Sequence, residues 1–125
     1  MAFIVDENGD ISLVQGDSGA LSVEGLNTDK NYTVYFAVQD KNRKPVGNEI
    51  YLSSNFNSEV CFEFTGSFTD LLTVGKNETF AVYYYGIKVC NPNDYYEDTV
   101  CMGNKEIGEL NTITVYPKKV EGTNG

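Results

Sequence analysis

The residues with chemical potential in this chain are its carboxylates, its cysteines and its tyrosines. Asp94, Glu97 and Asp98 fall close together in N-P-N-D-Y-Y-E-D, a cluster able to act as an acid–base pair or to hold a calcium ion. It lacks the ordered oxygen-ligand spacing of an EF-hand loop, and exposed loop acids are ordinary, so it reads as solvated, as do Glu106 and Glu109. The chain has no histidine, which removes Ser–His and Cys–His nucleophile pairs. Cys61, Cys90 and Cys101 leave one thiol over after any pairing, unlike a secreted disulfide framework. Cys61 fits a strand interior, while Cys90 and Cys101 flank a loop and could face each other across a hairpin. A bridge between them is disfavoured in a reducing cytosol, and a cysteine-only zinc site would lack its fourth ligand. No catalytic, cofactor or metal residue is assigned.

Two further patterns are local structure. Gln15-Gly16-Asp17-Ser18-Gly19 is a tight turn in which Asp17 or Ser18 can bond nearby backbone N–H groups; the lysine and helix of a phosphate-binding loop are missing. Asn31-Tyr32-Thr33 and Asn77-Glu78-Thr79 match the glycosylation pattern by chance, each before a strand. Binding stands on better evidence. Tyr83 and Tyr85 share one face of an apolar strand, and Tyr95 and Tyr96 adjoin in a loop, where tyrosines make effective contact groups. These four are the candidate interface. Cover from within the chain, by the Phe68–Leu72 segment, would explain the strand pair equally well.

The element that positions them is Asn77–Lys88, N-E-T-F-A-V-Y-Y-Y-G-I-K. Phe80, Val82 and Tyr84 alternate with Ala81, Tyr83 and Tyr85, so the strand is apolar on both faces and belongs in the middle of a sheet. Around it, period-two patterning predicts strands at Ile11–Val14, Leu21–Leu26, Tyr32–Val38, Ile50–Leu52, Val60–Phe64, Thr99–Met102 and Thr112–Tyr116. Tyr32, Val34, Phe36 and Val38 share one face, as do Val60, Phe62 and Phe64. Asp40–Pro45 is a polar hairpin connection. Residues 67–72 break the alternation: Ser67 or Thr69 is placed to cap one helical turn that sets Phe68, Leu71 and Leu72 on the core. The fold class is all-β, an antiparallel β-sandwich or small barrel with this single helical turn. Residues 1–120 form one domain and 121–125 a flexible tail.

Composition bounds the function. The chain has 125 residues, 41% hydrophobic and 22% charged, enough for one globular core. A net charge of −9 and a pI near 4.3 repel phosphate backbones and anionic lipid, so neither nucleic acid nor membrane is an expected partner. Phe3-Ile4-Val5 is followed at once by Asp6 and Glu7, unlike a signal peptide, which predicts synthesis into the cytoplasm.

The order of motifs resembles small β modules of tailed-phage structural proteins, of the baseplate, tail-tip and fibre N-terminal type. The opening I-S-L-V-Q-G-D-S-G-A-L-S-V at Ile11–Val23 is similar to their strand, G-D-(S/T) turn and second strand. Tyr32–Val38 followed by Asp40 and Pro45 is similar to their second hairpin. Y-Y-Y-G-I-K-V at Tyr83–Val89, E-D-T-V at Glu97–Val100 and N-T-I-T-V at Asn111–Val115 resemble their closing strands. The resemblance implies a virion or prophage structural part, made in the cytoplasm of the bacterial host, without catalysis or cofactor. It would dock on other phage proteins or on itself as an oligomer, a trimer being the candidate form. Such modules usually head a longer chain, which favours an adaptor, a decoration protein or a fragment over a receptor-binding fibre. The alternative is a carbohydrate-binding sandwich, with or without calcium, using Tyr95, Tyr96 and the neighbouring acids as its platform.

Overall fold

The computed structural model describes residues 3–91, 93 and 96–118. Among them the chain runs through β1 (Phe3–Val5), β2 (Ile11–Val14), β3 (Gly19–Val23), β4 (Thr33–Gln39), β5 (Pro45–Ser53), β6 (Val60–Phe64), the helical turn α1 (Gly66–Thr69), β7 (Ala81–Asn91), β8 (Tyr96–Val100) and β9 (Asn111–Tyr116). The large sheet has the order β1-β2-β9-β7-β4-β5, with β8 also on β7; β3 and β6 form a second sheet. The result is a two-layer sandwich of the immunoglobulin-like kind. One pairing departs from an all-antiparallel expectation. After β2 the chain crosses to β3 in the other layer, so the second edge of β2 is paired from the far end of the chain, and β9 lies parallel to it with Ile11 opposite Ile113.

The alternation read from the sequence decides the core. Val34, Phe36 and Val38 of β4, with Tyr32 just before it, face Leu21, Val23, Val60, Phe62 and Phe64 of the small sheet, and all are buried. Phe36 is the hub, its ring 4.9 Å from Phe64, 5.3 Å from Tyr85 and 5.6 Å from Phe62. The long strand β7 is interior to its sheet. β4 takes one edge, from Tyr84 to Cys90, while β9 and β8 share the other, β9 along Ala81–Tyr85 and β8 along Ile87–Asn91.

The helical turn is shifted from its expected place. Thr65 is the cap, its Oγ1 accepting from the Phe68 N–H at 3.2 Å. Thr69 is buried and donates from Oγ1 to the Asp17 carbonyl at 2.8 Å. Phe68 and Leu72 reach the core, but Leu71 is 51% exposed. Gly66 permits the seating of the turn: a Cβ there would lie 2.4 Å from the Gly16 carbonyl oxygen, so the turn packs backbone-to-backbone on the Gln15–Asp17 turn.

Candidate functional site

Of the tyrosines singled out in the sequence, Tyr96 stands apart from Tyr83 and Tyr85 among the described residues. Tyr83 and Tyr85 are 7% and 4% exposed, on the core side of β7. Tyr83 donates its hydroxyl hydrogen to the Thr73 carbonyl at 2.6 Å, and Tyr85 donates to the Gly9 carbonyl. Burial, with Asp10 and Asp6 nearby, pushes the Tyr85 phenol well above its ordinary pKa. Their expected part as exposed contact groups is therefore corrected: both sit in the core, Tyr83 under the segment after α1 at Thr73, Tyr85 against Phe36 and the β1–β2 turn at Gly9. Alternation fixes which residues share a face, and on a strand apolar both ways it does not say which face turns inward. Tyr96 begins β8, 44% exposed, its ring 5.9 Å from Tyr32 and its hydroxyl 3.2 Å from Asp98. Tyr95 and Asp94 lie outside the described residues.

Among the described residues the carboxylates engage separate partners, Asp98 meeting the Tyr96 hydroxyl. Glu97 pairs with Lys88 at 3.5 Å, and Glu109 accepts from the Glu106 N–H within its own turn at 3.4 Å. Among the described residues no group of three or more His, Cys, Asp or Glu side chains is placed to hold a metal. Cys61, Cys90 and Cys101 carry free thiols. Desolvation and the Glu97 carboxylate raise the Cys90 thiol above its usual pKa.

The outward face of the large sheet holds a feature that sequence reasoning missed, a shallow groove of about 280 Å³. Its rows follow from register. Tyr35 lies opposite Lys88, Ala37 opposite Gly86, and Gln39 opposite Tyr84. The two smallest residues form the middle rung, with larger side chains at both ends, so the sheet surface is notched there. A Cβ built on Gly86 meets nothing within 4 Å. At this same rung both neighbouring strands part company. β5 shifts register between Phe36 and Val38 and bulges away at Gly47, φ 69°, while on the other edge β9 ends its pairing at Tyr85 and β8 begins at Ile87.

The rim is built by the β4–β5 hairpin. Asp40 Oδ1 accepts from the Asn42 and Lys44 N–H groups at 2.8 and 3.0 Å, closing an Asx-type turn. That turn holds Arg43 in the left-handed region, φ 64°, and its Nε donates to Gln39 Oε1 at 2.6 Å. Arg43 and Glu49 stand at this side of the groove and Thr99 and Leu110 at the other. Tyr51, 6.0 Å from Tyr35 ring to ring, extends the aromatic surface across β5. The sequence signal was a glycine inside an aromatic strand, which marks a bulge or a close approach.

No protein-family model and no curated protein matches the chain. Solved structures do. The periplasmic chaperone SfaE matches 87% of this chain and 53% of its own, with TM-score 0.61 and 8% identity. A chain of the Salmonella enterica SafA pilin–SafB chaperone complex matches over 89% and 52%, with TM-score 0.55 and 14% identity. The E. coli chaperone DraB matches over 89% and 53%, with TM-score 0.52 and 12% identity. The chain spans about half the length of these solved chains. At such identities the likeness shows the sandwich fold. It also corrects the tailed-phage resemblance, because these three structures are chaperone and pilin–chaperone proteins rather than baseplate, tail or fibre modules. The virion and host-cytoplasm location that rested on that resemblance falls with it.

Proposed function

We propose that the chain is a non-catalytic protein-binding module that docks a polypeptide partner on the outward face of its large sheet. The observation that carries this reading is the notched rung at Ala37 and Gly86, flanked by Tyr35 and Tyr84 on a face that the small sheet does not cover. Aromatic side chains around a depression are the usual anchors of protein interfaces. The fold likeness supports the same class of work, since one matched structure is a pilin held by a chaperone. The net charge of −9 argues against nucleic acid as the ligand. In this reading residues 1–120 act as one sandwich domain.

Site-specific photocrosslinking in the cells that make the protein tests the reading. A benzoylphenylalanine at Tyr51 or Tyr84 should capture a discrete protein partner, while one at Ser22 or Glu63 on the small sheet should not. Capture only from the small sheet, or from neither face, overturns it.

A further inference from the structure

Resting on the reading of the outward sheet as the docking face, we propose that its notch receives a large apolar side chain from a partner polypeptide. In this proposal Arg43 pairs with a carboxylate next to that side chain. The argument starts from two local choices that the fold itself does not require. A glycine inside a strand is costly, because it loses more freedom on folding than other residues and offers no side chain to pack. Gly86 has no positive φ, and no atom lies within 4 Å of the point where a methyl group would stand, so neither backbone conformation nor crowding demands it. What it does is keep the rung beside Ala37 open.

Arg43 is the second such choice. Its left-handed φ of 64° sits at a hairpin position where glycine or asparagine is the favoured residue. An arginine there is disfavoured locally, yet it puts a guanidinium on the groove rim. Its Nε is held by Gln39, which orients the terminal NH₂ groups, and among the described residues Arg43 has no ion pair. The other cation lining the groove, Lys88, is already 3.5 Å from Glu97.

Charge and size select the occupant. In a chain with nine Lys and Arg against eighteen Asp and Glu, the groove lining gathers two cations and one acid, Glu49, and with Lys88 held by Glu97 it is Arg43 that is left to meet an anionic group. Arginine binds a carboxylate through two parallel hydrogen bonds. A volume of about 280 Å³ lies below the range of about 300–1,000 Å³ typical of pockets for drug-sized ligands. It suits one anchoring side chain, with Tyr35 and Tyr84 as its flanks.

The test is a titration of the ¹⁵N-labelled chain followed by NMR, using short synthetic peptides. One carries phenylalanine beside aspartate, a second has that aspartate replaced by asparagine, and a third has the phenylalanine replaced by serine. The first should perturb the Ala37, Gly86 and Arg43 amides and bind about tenfold more tightly than the second, as loss of a charged hydrogen bond predicts. The third should leave these amides unmoved. Gly86→Val fills the notch while suiting a strand and should abolish binding; Arg43→Gly relieves the backbone and should erase the preference for aspartate over asparagine. The proposal is overturned by shifts that map elsewhere, by an aspartate preference that survives Arg43→Gly, or by binding that survives Gly86→Val. It is also overturned if sedimentation finds a dimer that Gly86→Val dissociates, since the occupant is then a second copy. Photocrosslinking from Tyr51 and Tyr84 reports separately, so a failed peptide chemistry is distinguishable from a failed docking face.

Discussion

The Tyr85 hydroxyl donates to the backbone carbonyl of Gly9, 76 residues away in sequence. This bond ties the central strand to the turn between β1 and β2, and Gly9 is pressed so closely there that a Cβ would stand 2.7 Å from the Met102 Cβ. Asn111 joins the same cluster, donating from Nδ2 to the Asn8 carbonyl at 3.1 Å. Tyr85→Phe should therefore lower stability by about 1–2 kcal/mol, the cost of leaving a buried carbonyl without its donor. Urea unfolding should show a lower midpoint with an unchanged slope. The raised phenol pKa has its own consequence: its contribution is complete below the unfolded value near 10 and is lost as pH climbs through the folded value. Tyr85→Phe should flatten part of that alkaline decline.

Asp10 gives the opposite sign in acid. Burial alone would raise its pKa, but the Thr112 N–H on Oδ1 at 2.9 Å and the Lys105 ammonium on Oδ2 at 3.1 Å outweigh that and hold it low. A depressed carboxylate stabilises the fold fully above its unfolded pKa, about 3.9, and the contribution is lost as pH falls through the folded value. Urea midpoints measured across the acid range should fall less steeply in Asp10→Asn than in the parent chain. An identical slope in the two would show that Asp10 does not carry this linkage.

The thiols should separate by rate. Cys61 and Cys101 are exposed and Cys90 is half-buried, with its Sγ 3.9 Å from a Glu97 carboxylate oxygen. Because the thiolate is the reactive form, a raised pKa slows Cys90. Mass spectrometry after brief alkylation of the native chain at neutral pH should find Cys61 and Cys101 modified first. Glu97→Gln should speed Cys90 selectively.

Much of the fold was legible because it depends on alternation alone. Val34, Phe36 and Val38, like Val60, Phe62 and Phe64, share a face by period two; in β6 the intervening Glu63 marks the outer side, while Tyr35 and Ala37 give β4 no such marker. β7 carries its marker late, at Lys88 on the Tyr84 face, and Phe80, Val82 and Tyr84 make that face read as apolar too, so period two pairs Tyr83 with Tyr85 without deciding their side. Inward orientation came from Phe36 and the small sheet, a tertiary effect. The groove was less legible still. Its floor depends on Ala37 and Gly86 falling on one rung and on β5, β8 and β9 all parting at that level, which is a property of register between distant segments. The parallel β2–β9 pair was hidden for the same reason.

Two glycines put the local cost of a missing side chain to a direct test. Replacing glycine by alanine inside a regular element ordinarily stabilises by about 0.5–1 kcal/mol. Gly86→Ala should follow that rule, since its new methyl group enters open space on the outward face. Gly66→Ala should break it, although Gly66 begins a helical turn. There the methyl would meet the Gly16 carbonyl oxygen at 2.4 Å, a backbone atom that cannot swing aside, and forced repacking of this kind costs about 1–3 kcal/mol. The turn would have to lift from Gln15–Asp17, lengthening the Thr69 Oγ1 bond to the Asp17 carbonyl and drawing Leu72 from the core. Thermal and urea unfolding of the two variants should thus move in opposite directions. If Gly86→Ala destabilises as much as Gly66→Ala, the open rung is structurally required, and the case for Gly86 as a docking residue is lost.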